Sequence, residues 1–155
     1  MKTLIALLIL CAPTLVWAAP THYTLDLNVA SLHTEKWARQ DLNQNNLGLG
    51  VTAHVNKNWA VSSGFYRNSY RRTSVYALAQ WTPIHIPMGS WRIDAGAEAG
   101  LVSGYRRSEV PSAPVMGAGL VRVVSPHGWS VNFTIVPNTP NRSSGFVGLQ
   151  VSAPL

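Results

Sequence analysis

The run Ile93-Asp94-Ala95-Gly96-Ala97-Glu98-Ala99-Gly100-Leu101 decides the fold. Side chains alternate with period two along a strand, so Ile93, Ala95, Ala97, Ala99 and Leu101 share one face. Asp94, Gly96, Glu98 and Gly100 share the other. The same alternation appears in seven further segments. Tyr23, Leu25, Leu27 and Val29 alternate with Thr24, Asp26 and Asn28. Leu47 to Val55, Trp59 to Tyr66 and Val75 to Trp81 follow. After Leu101 come Val115 to Val123, Trp129 to Ile135 and Phe146 to Leu155. An even number of segments of roughly ten residues, apolar on one face and small or polar on the other, is the pattern of an outer-membrane barrel. A water-soluble sandwich would give the same alternation with its apolar face inward. Asp26, Asp94, Glu98 and Arg122 on the polar face, able to pair in a narrow lumen, favour the barrel. So do Trp59, Trp81, Trp91 and Trp129 near strand ends, where a membrane interface holds aromatic girdles. The expectation is all-β: an eight-stranded antiparallel up-and-down outer-membrane β-barrel, one domain over residues 19–155.

Composition agrees. Of 155 residues 46% are apolar and only 12% charged, which excludes a charged disordered chain. No internal stretch reaches the roughly 18 apolar residues of a spanning helix. Residues 1–18 read as a cleaved signal peptide: Met1-Lys2 is a positive start, Leu4 to Cys11 an apolar core, and Val16-Trp17-Ala18 a signal-peptidase site. Its removal takes the only cysteine, so a mature chain has no disulfide and no thiolate chemistry. His22, His85 and His127 lack metal-ligand spacing, and neither a metal nor a cofactor is expected. Asp94, Glu98 and Arg122 read as a salt-bridge network inside the lumen.

The connections at 56–58, 84–90 and 125–128 are mostly short, and those at 33–46, 67–73, 103–113 and 138–144 mostly longer. Short turns face the periplasm in such barrels and long loops the exterior. The formal charge is +6, and Lys36, Arg39, Arg67, Arg71, Arg72, Arg106, Arg107 and Arg142 all fall in the outer loops. Guanidinium forks suit phosphate. Arg67, Arg71, Arg72, Arg106 and Arg107 are therefore candidate contacts for the phosphates of lipid A, the anionic lipid of a Gram-negative outer leaflet. Nucleic acid is not an expected partner. The topology also brings His33, at the top of the first strand, toward Ser69, at the top of the third. A His–Ser pair at a lipid–water boundary can support acyl transfer with the imidazole as general base.

The words around that pair recur in a known order. Tyr23-Thr24-Leu25 leads to Ser31-Leu32-His33, and the first loop ends in Asn43-Gln44-Asn45-Asn46-Leu47-Gly48-Leu49-Gly50. Asn58-Trp59 opens the third strand. Tyr66-Arg67-Asn68-Ser69-Tyr70, Gln80-Trp81-Thr82-Pro83 and Ile135-Val136-Pro137-Asn138-Thr139 follow. This succession resembles the lipid A palmitoyltransferase family (PagP-type), at the distance of a remote relative and over nearly the whole mature chain. The resemblance implies an outer-membrane barrel, acting as a monomer, that moves a palmitoyl chain from a phospholipid to lipid A. The family's catalytic His matches His33, and its Asp-Ser pair matches Asn68-Ser69. Asn68 replaces an acid, so Asn68→Asp is expected to maintain or raise the rate. The family opens gaps in its wall with prolines. Pro137 matches one, while Asn28, Asn46 and Ala118 stand where others are expected. A non-catalytic barrel that binds lipopolysaccharide or alters the cell surface is the alternative function.

Overall fold

The alternating segments all become strands in a computed structural model that describes residues 20–139 and 144–155. The signal-peptide reading at 1–18 and the candidate loop residue Arg142 lie outside those residues. The strands are β1 His22–His33, β2 Asn45–His54, β3 Trp59–Arg67, β4 Thr73–Met88, β5 Trp91–Val102, β6 Val115–Val124, β7 Ser130–Val136 and β8 Phe146–Pro154. Each pairs antiparallel with the next, and β8 returns to β1, so the sheet closes. Closure is the solution by which an all-β chain removes its long free edges.

The polar face lies inside. Leu25 and Asp26 are neighbours in sequence, yet they are 44% and 0% exposed. Buried side chains include Thr24, Thr52, Ser62, Gln80, Glu98, Arg122, Asn132 and Ser152, while Leu27, Leu49, Val61, Phe65, Val75 and Leu101 are exposed. A sandwich stabilised by water would reverse that distribution, and the sandwich reading falls with it. Tyr23, Trp59, Trp81, Trp91 and Trp129 stand exposed around the end with the short turns, and the rings of Trp59 and Trp81 stack at 6.1 Å.

A belt of polar side chains crosses the lumen. Arg122 on β6 donates to Gln80 Oε1 on β4 at 2.8 Å and to Asn132 Oδ1 on β7 at 3.1 Å. Gln80 and Thr134 donate to the two oxygens of Glu98 on β5. Asn132 donates to Gln150 on β8, which donates to Asn28 on β1. The expected Asp94–Glu98–Arg122 salt-bridge network is corrected here. Arg122 is held by two neutral amides, and Asp94 takes the guanidinium of Arg92 and the ring of His85 instead. Asp94 does sit opposite Arg122 in register. Arg92, two residues along the same strand, and His85 on β4 reach its oxygens first.

Three local departures follow from identifiable causes. The segment 84–90, expected as a turn, is strand as far as Met88, and the reversal is at Gly89, whose φ is +60°. Pro83 and Pro87 are accommodated because β3 begins at Trp59 opposite Trp81, and Thr82 makes the last backbone bond to that side. Beyond it β4 has a free edge, where a residue without an N–H is tolerated. The first loop, expected as a long connection over 33–46, contains the short helix α1, Lys36–Asp41. Small residues on a lumen face suggest open space, but at Gly50 and Gly64 that space is taken by Tyr76. A Cβ at Gly50 would lie 2.2 Å from the Tyr76 hydroxyl, and one at Gly64 2.7 Å from it.

Candidate functional site

A bulge turns His33 inward. Unbroken alternation from Leu25 and Leu27 would carry His33 to the outer face. Between Asn28 and Ala30, however, β1 advances two residues while β8 advances one, from Gln150 to Leu149. A one-residue slip exchanges the two faces of a strand. Ser31 and His33 beyond the bulge are accordingly buried, at 8% and 3% exposure, and Leu32 is 63% exposed.

Ser69 is placed by a tight turn after β3. Asn68 Oδ1 accepts the backbone N–H groups of Tyr70 and Arg72, and Arg71 adopts a φ of 59°. An Asn side chain that bonds its own backbone two residues on is a common turn device. The first loop is pinned onto this turn, because Asn43 N–H donates to the Ser69 carbonyl at 2.8 Å. Ser69 Oγ then lies 3.3 Å from His33 Nε2, both groups buried.

Asn68 is not part of that pair. Its amide donates to Ser74 Oγ and to the Gly104 carbonyl, each at 3.0 Å, and its oxygen is occupied by the turn. The role carried to Asn68 by resemblance is thus replaced by a structural one. The side chain on the other ring nitrogen is Gln44, with Oε1 3.1 Å from His33 Nδ1. Sequence reading used Gln44 only as part of a motif word, since nothing in the spacing of a loop residue shows which side chain it will meet.

Two cavities meet at Ser69. An outer one of about 200 Å³ is lined by His33, Ser69, Tyr70, Glu109, Val115, Gly117 and Pro137, among others. An inner one of about 90 Å³ lies in the lumen, with Leu78, Leu120 and Gly148 on its walls and Gln80, Glu98 and Gln150 from the polar belt. Tyr66, Ser69, Val102, Tyr105, Met116 and Phe146 line both. Tyr66, Tyr76, Tyr105, Met116 and Phe146 share the lumen lining with Ser31, Asn46 and Ser62.

The outer cavity also reaches the wall. β6 pairs with β5 from Val115 onward, but its first partner on β7 is Ile135, opposite Gly119. Among the described residues the continuous β6–β7 ladder ends at Gly119–Ile135, and Pro137, which lacks an N–H, follows β7. Gly117 faces open space there. At Asn46 the wall is sealed instead, since its amide donates to the Arg67 carbonyl and its oxygen accepts from Ser31.

Around the mouth Arg67, Arg71, Arg106 and Arg107 are exposed. Arg72 is already engaged: it pairs with Glu109, donates to the Gly104 carbonyl at 2.8 Å and lies over the Tyr70 ring. The Arg72 guanidinium holds the Glu109 carboxyl below the usual carboxylate range. A depressed carboxyl stabilises the fold above its ordinary pKa and ceases to as the pH falls through the lowered value. Acidification into that range is expected to speed proteolysis of loop 103–114. Glu109→Gln should remove that pH dependence; a loop whose cleavage is unchanged by acid would mean that the pair does not hold it.

Comparison of the chain with models of protein families gives no match, and comparison with curated proteins gives none.

Proposed function

We propose that the chain is an outer-membrane acyltransferase resembling the lipid A palmitoyltransferases, which moves an acyl chain from a phospholipid to lipid A. The observation that carries the reading is the buried His33–Ser69 contact at the junction of an outer cavity that reaches the β6–β7 wall and a lumen cavity of mixed polar and apolar lining. An exterior of exposed leucine, valine and tryptophan calls for lipid around the barrel. The exposed Arg67, Arg71, Arg106 and Arg107 at the mouth suit the phosphates of an acceptor lipid.

In this reading the donor's acyl chain lies in the lumen cavity with its ester carbonyl near Ser69. His33 Nε2 takes the proton of an acceptor hydroxyl as that oxygen attacks the carbonyl carbon. The bond from the carbonyl carbon to the glycerol oxygen then breaks, and the leaving oxygen recovers the proton from the imidazolium. Products are an acylated lipid A and a lysophospholipid. Ser69 Oγ–H, displaced from Nε2, donates to the oxyanion that forms at the carbonyl.

The second reading is a non-catalytic barrel that binds lipopolysaccharide. It draws on the neutral partner at His33 Nδ1, because an amide stabilises a developing imidazolium less than a carboxylate does. Mass spectrometry of lipid A from Gram-negative cells with and without the chain separates the two. One added acyl chain, with the protein in the outer-membrane fraction and heat-modifiable on gels, is the expected result. Unchanged lipid A in cells that hold the folded barrel favours the second reading, and recovery as a soluble protein overturns both.

A further inference from the structure

We propose that Gln44 is a positioning residue that fixes His33 in the tautomer a general base needs, a task often given to a carboxylate. The purpose of that device rests on the acyl-transfer reading, whereas its geometry does not. Gln44 Oε1 lies 3.1 Å from His33 Nδ1 and 3.2 Å from the backbone nitrogen of the same residue. A backbone N–H can only donate, so the atom facing it must be the amide oxygen. Gln44 Nε2 lies 3.2 Å from each of the carbonyls of Ala38 and Leu42, which can only accept. Reversing the amide would set donors against a donor and oxygen against two oxygens, so hydrogen-bond matching permits one orientation.

An oxygen facing Nδ1 requires the proton on Nδ1. In the neutral ring Nε2 then carries the lone pair, and Ser69 Oγ–H donates to it across 3.3 Å. The second bond a ring nitrogen makes is what sets the tautomer. A histidine side chain free in water favours the opposite form, with the proton on Nε2, which leaves no base beside Ser69. Gln44 is itself held by α1 and the residue after it, through Ala38, which is fully buried, and Leu42. The helix thereby acts as a bracket for the imidazole. Arg39 closes the same corner by donating to the carbonyls of His33 and Thr34, and Phe146 packs at 5.7 Å on the ring. Because the amide is uncharged, it orients the proton without repelling an anionic headgroup at the mouth.

The test is the tautomer, read by long-range proton–nitrogen spectra of the full chain labelled with ¹⁵N-histidine in detergent micelles. His33 signals are assigned by their loss in His33→Asn, at a pH where the ring is neutral. Wild type is expected to show Nδ1–H. Gln44→Leu, which removes the acceptor, should bring in Nε2–H and lower acyl transfer, toward the roughly 10⁴-fold loss that a wrong tautomer causes in a serine-protease triad. Gln44→Glu restores the acceptor oxygen and should restore Nδ1–H. Nε2–H in wild type or in Gln44→Glu, or Nδ1–H persisting in a folded Gln44→Leu, overturns the assignment. The wild-type and Gln44→Glu spectra decide it even where Gln44→Leu fails to fold. Nδ1–H in a wild-type protein that leaves lipid A untouched upholds the tautomer assignment and overturns only the acyl-transfer reading.

Discussion

Arg122→Met is expected to destabilise the barrel by about 3–5 kcal/mol, from the loss of two buried hydrogen bonds made by a charged donor at about 1.5–3 kcal/mol each. Arg122 is the buried cation of the described lumen, where Asp26, Asp94 and Glu98 are buried acids. Methionine matches much of its length but donates nothing to Gln80 Oε1 or Asn132 Oδ1, and these amides hold Glu98 and Gln150 in turn. One substitution therefore leaves Gln80 Oε1 without a donor, leaves Asn132 Oδ1 with Ser130 alone, and takes the buried cation from a lumen that holds Asp26 and Glu98. Asp94→Leu should cost less. Its removal releases Arg92, whose side chain is 52% exposed and can turn to solvent, and leaves both bonds of Arg122 in place. Urea unfolding in detergent, followed by the loss of heat-modifiable migration, measures both variants. Equal, small effects would mean that the belt contributes little to the barrel.

That contrast shows where sequence reading succeeds and where it stops. Period-two alternation is a one-dimensional signal, and it identified strand and faces in Ile93 to Leu101 and its seven counterparts. The charges on the polar face, with the strand-end tryptophans, then favoured the barrel over the sandwich. Asp94 was correctly set inside by the same rule. Its partner was not, because three cations or potential cations lie within reach of the face, and the choice among Arg92, His85 and Arg122 depends on side-chain reach across neighbouring strands. The bulge at Val29 marks a second limit. Nothing in Asn28-Val29-Ala30 announces an extra residue, yet it decides whether His33 faces outward or into the lumen. The pair His33–Ser69 was legible from topology, since both residues end rising strands. Gln44 was not, because a loop side chain finds its contact only when α1 and the turn at Asn68 fix the loop.

The second large effect concerns the pair itself, and it reverses one expectation drawn from resemblance. His33→Asn is expected to lower acyl transfer by about 10²–10⁴-fold, the usual contribution of a positioned general base. Ser69→Ala should lower it by about 10²–10³-fold, the range for losing one donor to a forming oxyanion. Both should migrate as folded barrels, because neither residue belongs to the polar belt. Asn68→Asp belongs to a different class. Asn68 is fully buried and donates to Ser74 Oγ and the Gly104 carbonyl. A carboxylate there loses both donors, faces a carbonyl oxygen and carries a buried charge with no cation bonded to it. The structural cost is at least about 1–3 kcal/mol, the penalty for a buried polar group left unsatisfied. The turn that carries Ser69 is expected to loosen, and transfer should fall rather than rise. Lipid A mass spectra and heat-modifiable migration, measured on the same cells, test all three variants together. A folded His33→Asn protein that transfers normally removes His33 from the chemistry. An Asn68→Asp protein that is stable and faster returns residue 68 to the catalytic group and requires its side chain to reach His33 in the working state.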